Sequence, residues 1–191
     1  MANYLIRDLD IADCADIISI YYSYYDELKA GNATIGIGLF KKKPSYGSEV
    51  SWFADLYNRV LEGNEVAKVA VVGGKVVGLC NVGRRRPGSE SEHIGGLGIA
   101  VKDGFRSSGI GTALMEAALK DSSKMFEVVV LEVFTINAHA IALYKKMGFV
   151  EYGMLPHAIK RGTRYYDEYL MYKELSKKKS RHTRKTGMPV L

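Results

Sequence analysis

The segment that most constrains the fold is a short turn that follows one predicted strand and opens a helix. The run Ile94–Val101 predicts the strand, and apolar residues at helical spacing from Ile110 onward predict the helix. Between them the chain reads Arg106-Ser-Ser-Gly-Ile-Gly111. The free N–H groups of a helix N-terminus attract an anion, and glycines let the backbone approach it closely. The turn therefore predicts a binding site for pyrophosphate.

Two common phosphate-binding motifs match this turn only weakly. Gly104 and Gly109 have the spacing of a P-loop, but Ile110 and Gly111 stand where that motif needs Lys and Ser or Thr. The dinucleotide fingerprint needs a third glycine, which is missing here and also after the upstream Gly36-Ile-Gly38. Neither nucleotide hydrolysis nor dinucleotide binding is therefore favoured.

The rest of the chain alternates helical and strand patterns. We predict strands near 4–7, 128–134, 149–157 and 164–173, a hairpin of 66–72 and 75–82 around Gly73-Gly74, and helices after Asp10 and over 49–61 and 137–147. The order of these elements predicts one mixed α/β sheet. No internal repeat and no second domain is indicated.

Arg-x-x-Gly-x-Gly after a strand resembles motif A of the GCN5-related N-acetyltransferases, the GNAT family. Residues 131–149 are similar to that family's strand, Asn-initiated helix, Leu-Tyr pair and Gly-Phe pair. The resemblance extends over about residues 4–175 and includes ribosomal-protein N-terminal and phosphinothricin-type acetyltransferases. It implies an α/β (α+β) GNAT fold, in which about four helices flank a mixed, mostly antiparallel sheet of about seven strands. It also implies direct transfer of an acetyl group from acetyl-CoA to an amine.

The resemblance assigns a set of cofactor-binding residues. It implies backbone contacts with the pantetheine arm from Ile99, Ala100 and Val101, pyrophosphate contacts from Arg106, Ser107, Ser108, Gly109, Ile110, Gly111 and Thr112, and further cofactor contacts from Asn137 and Tyr144. Simpler interpretations remain open for some of these residues. Ser108 could be the N-cap of an ordinary helix, and Asn137 can cap the next helix while also contacting the cofactor.

Two residues are candidates for proton transfer. Tyr144 matches the position at which the family places a general acid for the departing thiolate, although it could simply pack on an apolar stripe. Glu132 is the one acid in the apolar run 128–134. Burial there would raise its pKa toward that of a useful base, and a similar glutamate accepts the proton in ribosomal-protein acetyltransferases. The alternative is a strand glutamate that points to solvent.

The acceptor is less well defined. Relatives that acetylate small molecules often carry a glutamate in the strand before motif A, where this chain has Gly95 and Gly96. Aromatic and acidic residues at 21–27, and around 151–152 and 165–167, are candidates for binding a cationic amine. We expect a small amine, a polyamine or a peptide N-terminus. With histidines only at 93, 139, 157 and 182, in no paired spacing, we predict no metal.

The charge is concentrated at one end of the chain. Lys and Arg number 27 against 21 Asp and Glu, which gives a net charge of +6. Residues 176–191 carry six cations and no acid, so residues 1–175 are neutral overall. We expect a catalytic domain over 1–175 and a disordered basic tail over 176–191. A rival interpretation is a noncatalytic acyl-CoA-binding module whose tail engages RNA or a ribosomal partner.

The remaining features indicate a cytoplasmic protein without a membrane span. Cys14 and Cys80 stand singly, so no disulfide framework is predicted. No stretch approaches the roughly 18 apolar residues of a membrane helix. The sequence leaves open whether the protein is a monomer or a homodimer.

Overall fold

A seven-stranded sheet and four α-helices are formed by the part of the chain that the computed structural model describes, residues 3–32 and 35–175. In chain order they are β1 Leu5–Asp8, α1 Cys14–Lys29, α2 Tyr46–Leu61, β2 Glu65–Val72, β3 Lys75–Arg84, β4 Ile94–Val101, α3 Ile110–Ser122, β5 Val128–Phe134, α4 Ala138–Lys146, β6 Val150–Arg161 and β7 Arg164–Glu174. The α/β class, the strand number and the helix number predicted above are confirmed. The predicted basic tail, 176–191, lies outside the described residues.

Local sequence signals explain where several elements begin and end. The Asp10 side chain accepts a hydrogen bond from the N–H of Ala12 at 2.8 Å and opens a short 3-10 turn that leads into α1. Gly73 and Gly74 have φ angles of 55° and 78°, as a two-residue primed hairpin turn between β2 and β3 requires. Asn137 caps α4 through the N–H of Ala140, and Gly148 follows that helix with a φ of 85°.

The sheet has the order β1-β2-β3-β4-β5-β7-β6, and every neighbouring pair is antiparallel except β4 and β5. This one parallel pair is short. Its register runs from Ile94↔Val128 only to Gly96↔Val130, although both strands continue further. Beyond Gly96 the two strands therefore separate, and an opening forms in the middle of the sheet.

The helices cover the two faces of this sheet with separate cores. Helices α3 and α4 pack on one face around fully buried side chains such as Leu114 and Met115. Helices α1 and α2 pack on the other face around Ile17, Phe53 and Leu56. Most residues of β2 and β3 are thus buried on both faces, as their apolar composition predicts. None of the helices in the described part of the chain has the length and apolarity that a membrane span needs.

Candidate active site

A cleft of about 640 Å³ lies at the opening between β4 and β5. The residues that line it come from α1, the segment after it, β4, the turn before α3, and α4: Tyr24, Asn32, Ile35, Gly36, Ile37, Ile99, Val101, Arg106, Ser107, Gly109, Gly111, Thr112, Asn137, His139, Ala140, Ala142, Leu143, Tyr144 and Lys146. Its volume is typical of clefts that hold small molecules and cofactors. Nine of the thirteen site residues predicted from sequence line it; Ala100, Ser108, Ile110 and Glu132 do not.

The turn before α3 presents backbone N–H groups to the cleft. Gly109 is the N-cap, with a φ of 90° and no side-chain cap, and the first helical bond runs from the N–H of Ala113 to the carbonyl of Gly109. The N–H groups of the first helical turn are therefore left for a ligand. The interpretation of Ser108 as the N-cap is wrong, because its hydroxyl donates to the carbonyl of Phe105 at 2.6 Å. Ile110 is fully buried in the core, so only its backbone can contribute.

The register of β4 shows which of its backbone groups face the cleft. The N–H of Lys102 donates to the carbonyl of Val77 on the β3 side, and backbone direction alternates along a strand. The backbone of Ala100 therefore points to β3, which removes the predicted pantetheine contact from that residue. The backbone of Ile99 points to the side where β5 has separated. Val101 points to the same side, but the Tyr24 hydroxyl bonds both of its backbone groups, so Ile99 is the predicted strand residue whose backbone is left for an extended ligand arm.

Two residues of α1 form hydrogen bonds with residues that the sequence analysis assigned to cofactor binding. The hydroxyl of Tyr24 accepts from the N–H of Val101 at 3.1 Å and donates to the carbonyl of Val101 at 2.9 Å. The guanidinium of Arg106 makes two bonds to the carboxylate of Glu27, at 2.7 and 2.6 Å, and its Nε donates to Val101 at 2.9 Å. This part of the predicted 21–27 cluster therefore faces the cleft beside the turn.

Tyr144 lies on α4 with its ring buried and its edge in the cleft. Only 7% of the residue is exposed, and burial raises the pKa of its phenol well above the usual range. Its hydroxyl makes no hydrogen bond to the described residues, and Tyr144 lines the cleft. A neutral phenol with a free hydroxyl in a cleft is equipped to donate a proton.

Glu132 is not buried, which corrects the expectation from its apolar neighbours. Its side chain is 53% exposed on the α1/α2 face, and it pairs with Arg85 at 3.4 Å. On the same face Glu168 lies directly across from Phe134, diagonal to Glu132. Burial, together with the charge of Glu132, raises the pKa of the Glu168 carboxyl. The acid with a raised pKa is therefore on the neighbouring strand, and the sequence pattern gave no reason to select it.

A segment that the sequence offered only as a weak dinucleotide motif lines part of the cleft. We call residues 35–37 the strap. Arg161 of β6 donates to the carbonyls of Ile35 and Ile37, both at 2.6 Å, while its guanidinium lies 4.9 Å from the ring centre of Phe134. The Asn137 side chain donates to the carbonyl of Gly36 at 3.3 Å. The strap is thus fixed from two sides, and Gly36 allows Asn137 to approach it.

The donor set of the cleft fits a phosphate-bearing organic ligand. Backbone N–H groups and Arg106 lie at the turn, apolar side chains line the middle, and the exposed strand edge offers peptide groups. His139 and Lys146, which sequence reasoning did not select as cofactor residues, add further polar groups. Within residues 3–32 and 35–175, no three His, Cys, Asp or Glu side chains come together in the way a metal ion needs.

The fold thus has a cleft where two neighbouring strands of its sheet separate, and comparison with known proteins identifies the family to which it belongs. A model of the acetyltransferase (GNAT) family matches residues 35–149. The chain belongs to the GNAT family and is an N-acetyltransferase. The predicted family is confirmed, and so is acetyl-CoA, the acetyl donor of this family.

The relatives that the chain matches act on different acceptors. An N-alpha-acetyltransferase from Sulfurisphaera tokodaii is 44% identical over 77 residues, which is 39% of this chain and 44% of that protein. An L-methionine sulfoximine/L-methionine sulfone acetyltransferase from Pseudomonas aeruginosa is 25% identical over 92% of this chain and 96% of its own length. A phosphinothricin acetyltransferase from Sinorhizobium meliloti, solved with acetyl-CoA, has a TM-score of 0.73 at 19% identity, covering 90% and 88% of the two chains. This last likeness supports the fold.

The strap gives a direct test of the site geometry. A Cβ at Gly36 would lie 2.1 Å from Nδ2 of Asn137, whereas a Cβ at Gly38 would meet nothing within 4 Å. We expect Gly36→Ala to displace Asn137 and the strap and to lower the free energy of unfolding by about 1–3 kcal/mol. Gly38→Ala, the control, should change it by less than about 0.5 kcal/mol. Urea unfolding measures both, and equal stabilities for the two variants would contradict this geometry.

Proposed function

We propose that the protein acetylates the α-amine of a free amino acid or a close analogue, with acetyl-CoA bound in the cleft between β4 and β5. The observation that carries the proposal is a pair of opposite charges, Arg85 and Glu132, 3.4 Å apart on the exposed face beside the opening. A free amino acid carries the complementary pair, one ammonium and one carboxylate. The relative that matches nearly the whole chain is named for amino-acid analogues, which supports the same class.

The cofactor is held chiefly by backbone groups in this proposal. The N–H groups of the first turn of α3 bind the pyrophosphate, and the permanent charge of Arg106 lies beside them. Ile99 presents its backbone to the pantetheine arm as an added strand would. Its N–H then donates to the thioester carbonyl as negative charge develops on that oxygen. Asn137 shapes the cleft by capping α4 and holding the strap.

Acetyl-CoA supplies an acetyl group activated as a thioester. The acceptor nitrogen bonds to the carbonyl carbon, the carbon–sulfur bond breaks, and the sulfur takes the electron pair. Tyr144 donates its phenolic proton to that sulfur, a role that its neutral state and free hydroxyl support. The acetylated nitrogen then releases its second proton to solvent, and the Tyr144 phenolate takes up a proton from solvent, which restores both groups. The buried ring of Tyr144 packs against Phe149, with 6.1 Å between ring centres, which fixes the direction of the hydroxyl.

The acceptor enters as an ammonium and must lose a proton first. We assign that proton to the carboxylate pair Glu132 and Glu168. Glu132, the sequence-based candidate, is exposed and attracts the ammonium, while Glu168 holds a proton more readily because its pKa is raised. Arg85 pairs with Glu132 and can exchange that contact for the acceptor's carboxylate.

A panel of acceptors tests the proposed substrate class. The purified protein is given acetyl-CoA with amino acids, L-methionine sulfone, peptides with free N-termini, or polyamines, and the released thiol is measured. We expect turnover with free amino acids or the sulfone, and weaker turnover when the carboxylate is amidated. Turnover confined to peptides or polyamines would overturn the proposal.

Tyr144 gives a test of the acid. We expect Tyr144→Phe to lower kcat by about 100-fold or more, because the sulfur loses its proton donor. The affinity for acetyl-CoA should change little, since the ring stays in place. Tyr57→Phe on α2, remote from the cleft lining, is the matched control and should keep full turnover. Steady-state kinetics with binding calorimetry separates the two effects, and an unchanged kcat in Tyr144→Phe would exclude the acid role.

The carboxylate pair predicts a pH dependence with a definite sign. Because a protonated carboxyl cannot accept a proton, kcat/KM should fall as pH drops through the raised pKa of Glu168. Glu132→Gln removes a negative neighbour, lowers that pKa, and should move the acid limb to lower pH. Arg85→Gln removes the positive charge beside Glu132 and should move the acid limb to higher pH.

The pH–rate profiles of the variants also decide which member accepts the proton. Loss of the acid limb in Glu168→Gln assigns the proton to Glu168, and loss in Glu132→Gln assigns it to Glu132. If both variants keep the limb at the wild-type position, neither carboxylate is the base.

A further inference from the structure

Helix α1 contacts two groups that the proposed function assigns to the cofactor, the backbone of Val101 and the guanidinium of Arg106. Tyr24 and Glu27 lie three residues apart, on neighbouring positions of one helix face. The Tyr24 hydroxyl forms hydrogen bonds with the N–H and the carbonyl of Val101. The Glu27 carboxylate accepts hydrogen bonds from both terminal nitrogens of Arg106. A hydroxyl on a strand edge and a carboxylate on a guanidinium are the same kinds of contact that a pantetheine amide and a phosphate would make.

The contact between Glu27 and Arg106 is well shielded from solvent. The Glu27 side chain is 14% exposed and that of Arg106 34%, and the guanidinium lies 4.7 Å from the ring centre of Tyr24. Partial burial weakens solvent screening, so the carboxylate cancels much of the positive field that Arg106 projects into the cleft. Asp103 approaches the same guanidinium at 3.7 Å but is 70% exposed, and its effect is screened.

We propose that Glu27 sets the affinity of the protein for acetyl-CoA by competing with the pyrophosphate for Arg106, while Tyr24 competes with the pantetheine arm for the backbone of Val101. The proposal rests on the proposed function, in which the turn at Arg106 binds pyrophosphate. Glu27 and Tyr24 then lower the affinity for donor and for released coenzyme A alike, because both carry the same arm and phosphates.

Two variants separate these competitors. We expect Glu27→Gln to tighten acetyl-CoA binding about three- to thirtyfold, because the amide keeps the shape and removes the charge. It should leave the affinity for acetyl-pantetheine, which lacks the pyrophosphate, unchanged. Tyr24→Phe should tighten the binding of both ligands, since it frees the N–H of Val101, whereas the Val101 carbonyl keeps its bond from Arg106. Calorimetry gives the dissociation constants, and thermal unfolding confirms that each variant is folded.

Asp26→Asn is the matched control for charge. Asp26 is the neighbour of Glu27 in the chain, but its side chain is 73% exposed and contacts only Lys43, at 3.7 Å, among the ion pairs of the described residues. Asp26→Asn changes the net charge of the protein by as much as Glu27→Gln does, but at a position where solvent screens the charge. We expect little change in acetyl-CoA affinity at physiological ionic strength.

Arg106→Gln distinguishes this inference from the proposed function. If Arg106 binds the pyrophosphate, Arg106→Gln weakens acetyl-CoA binding, and adding Glu27→Gln to it only relieves the repulsion between the Glu27 carboxylate and the phosphates, so its gain is smaller than in the wild-type protein. If Arg106→Gln alone leaves the affinity unchanged, the assignment of Arg106 in the proposed function fails. If Arg106→Gln weakens binding but Glu27→Gln does not tighten it, the competition is refuted, and Glu27 only positions Arg106.

Discussion

The separation of β4 from β5 is the constraint on which the rest of the molecule depends. A parallel pair inside a sheet normally satisfies its backbone groups along its whole length, yet this pair stops after three register positions. Part of the unpaired edge of β4 bonds to helix α1, because the Tyr24 hydroxyl contacts both backbone groups of Val101, while Ile99 on the same edge lines the cleft. Separation of the strands also brings the N-terminus of α3 and the face of α4 to one opening. The turn before α3, the edge of β4 and Tyr144, to which the proposed function assigns phosphate binding, strand pairing and acid catalysis, thus meet at one break in the sheet.

Such a break weakens the connection between the two halves of the sheet, and long side chains replace part of it. Arg161 reaches from β6 near one edge of the sheet to the strap, which belongs to the α1/α2 half. Its partners are carbonyls and aromatic rings, and burial lowers its pKa because the described residues offer no carboxylate in compensation. Asn137 adds a second link through Gly36. These contacts bridge the opening without filling it.

Sequence reasoning predicted the parts of this site that depend on neighbouring residues. The cap at Asn137 and the turn at Gly109 are local, and their residue types specify them. The contacts of Arg106 with Glu27 and of Arg161 with Ile35 join residues 79 and 126 positions apart, and no local pattern encodes them. The burial expected for Glu132 was wrong for a related reason. A nearly continuous apolar run does not show which of its residues a helix will cover, so Glu132 could be placed in the run but not on its exposed face.

The two ion pairs beside the opening have opposite consequences for ligands. The pair of Arg85 and Glu132 is long and half exposed, and such pairs typically contribute less than about 1 kcal/mol, so their charges can be exchanged for those of a ligand at small cost. The pair of Arg106 and Glu27 is short, doubly bonded and largely shielded, so a ligand that takes Arg106 must displace a strong partner. Helix α1, which the sequence assigned to acceptor recognition, uses Tyr24 and Glu27 on the cofactor side. In the proposed function the acceptor's charges are bound by Arg85 and Glu132, so the two substrates meet different parts of the protein.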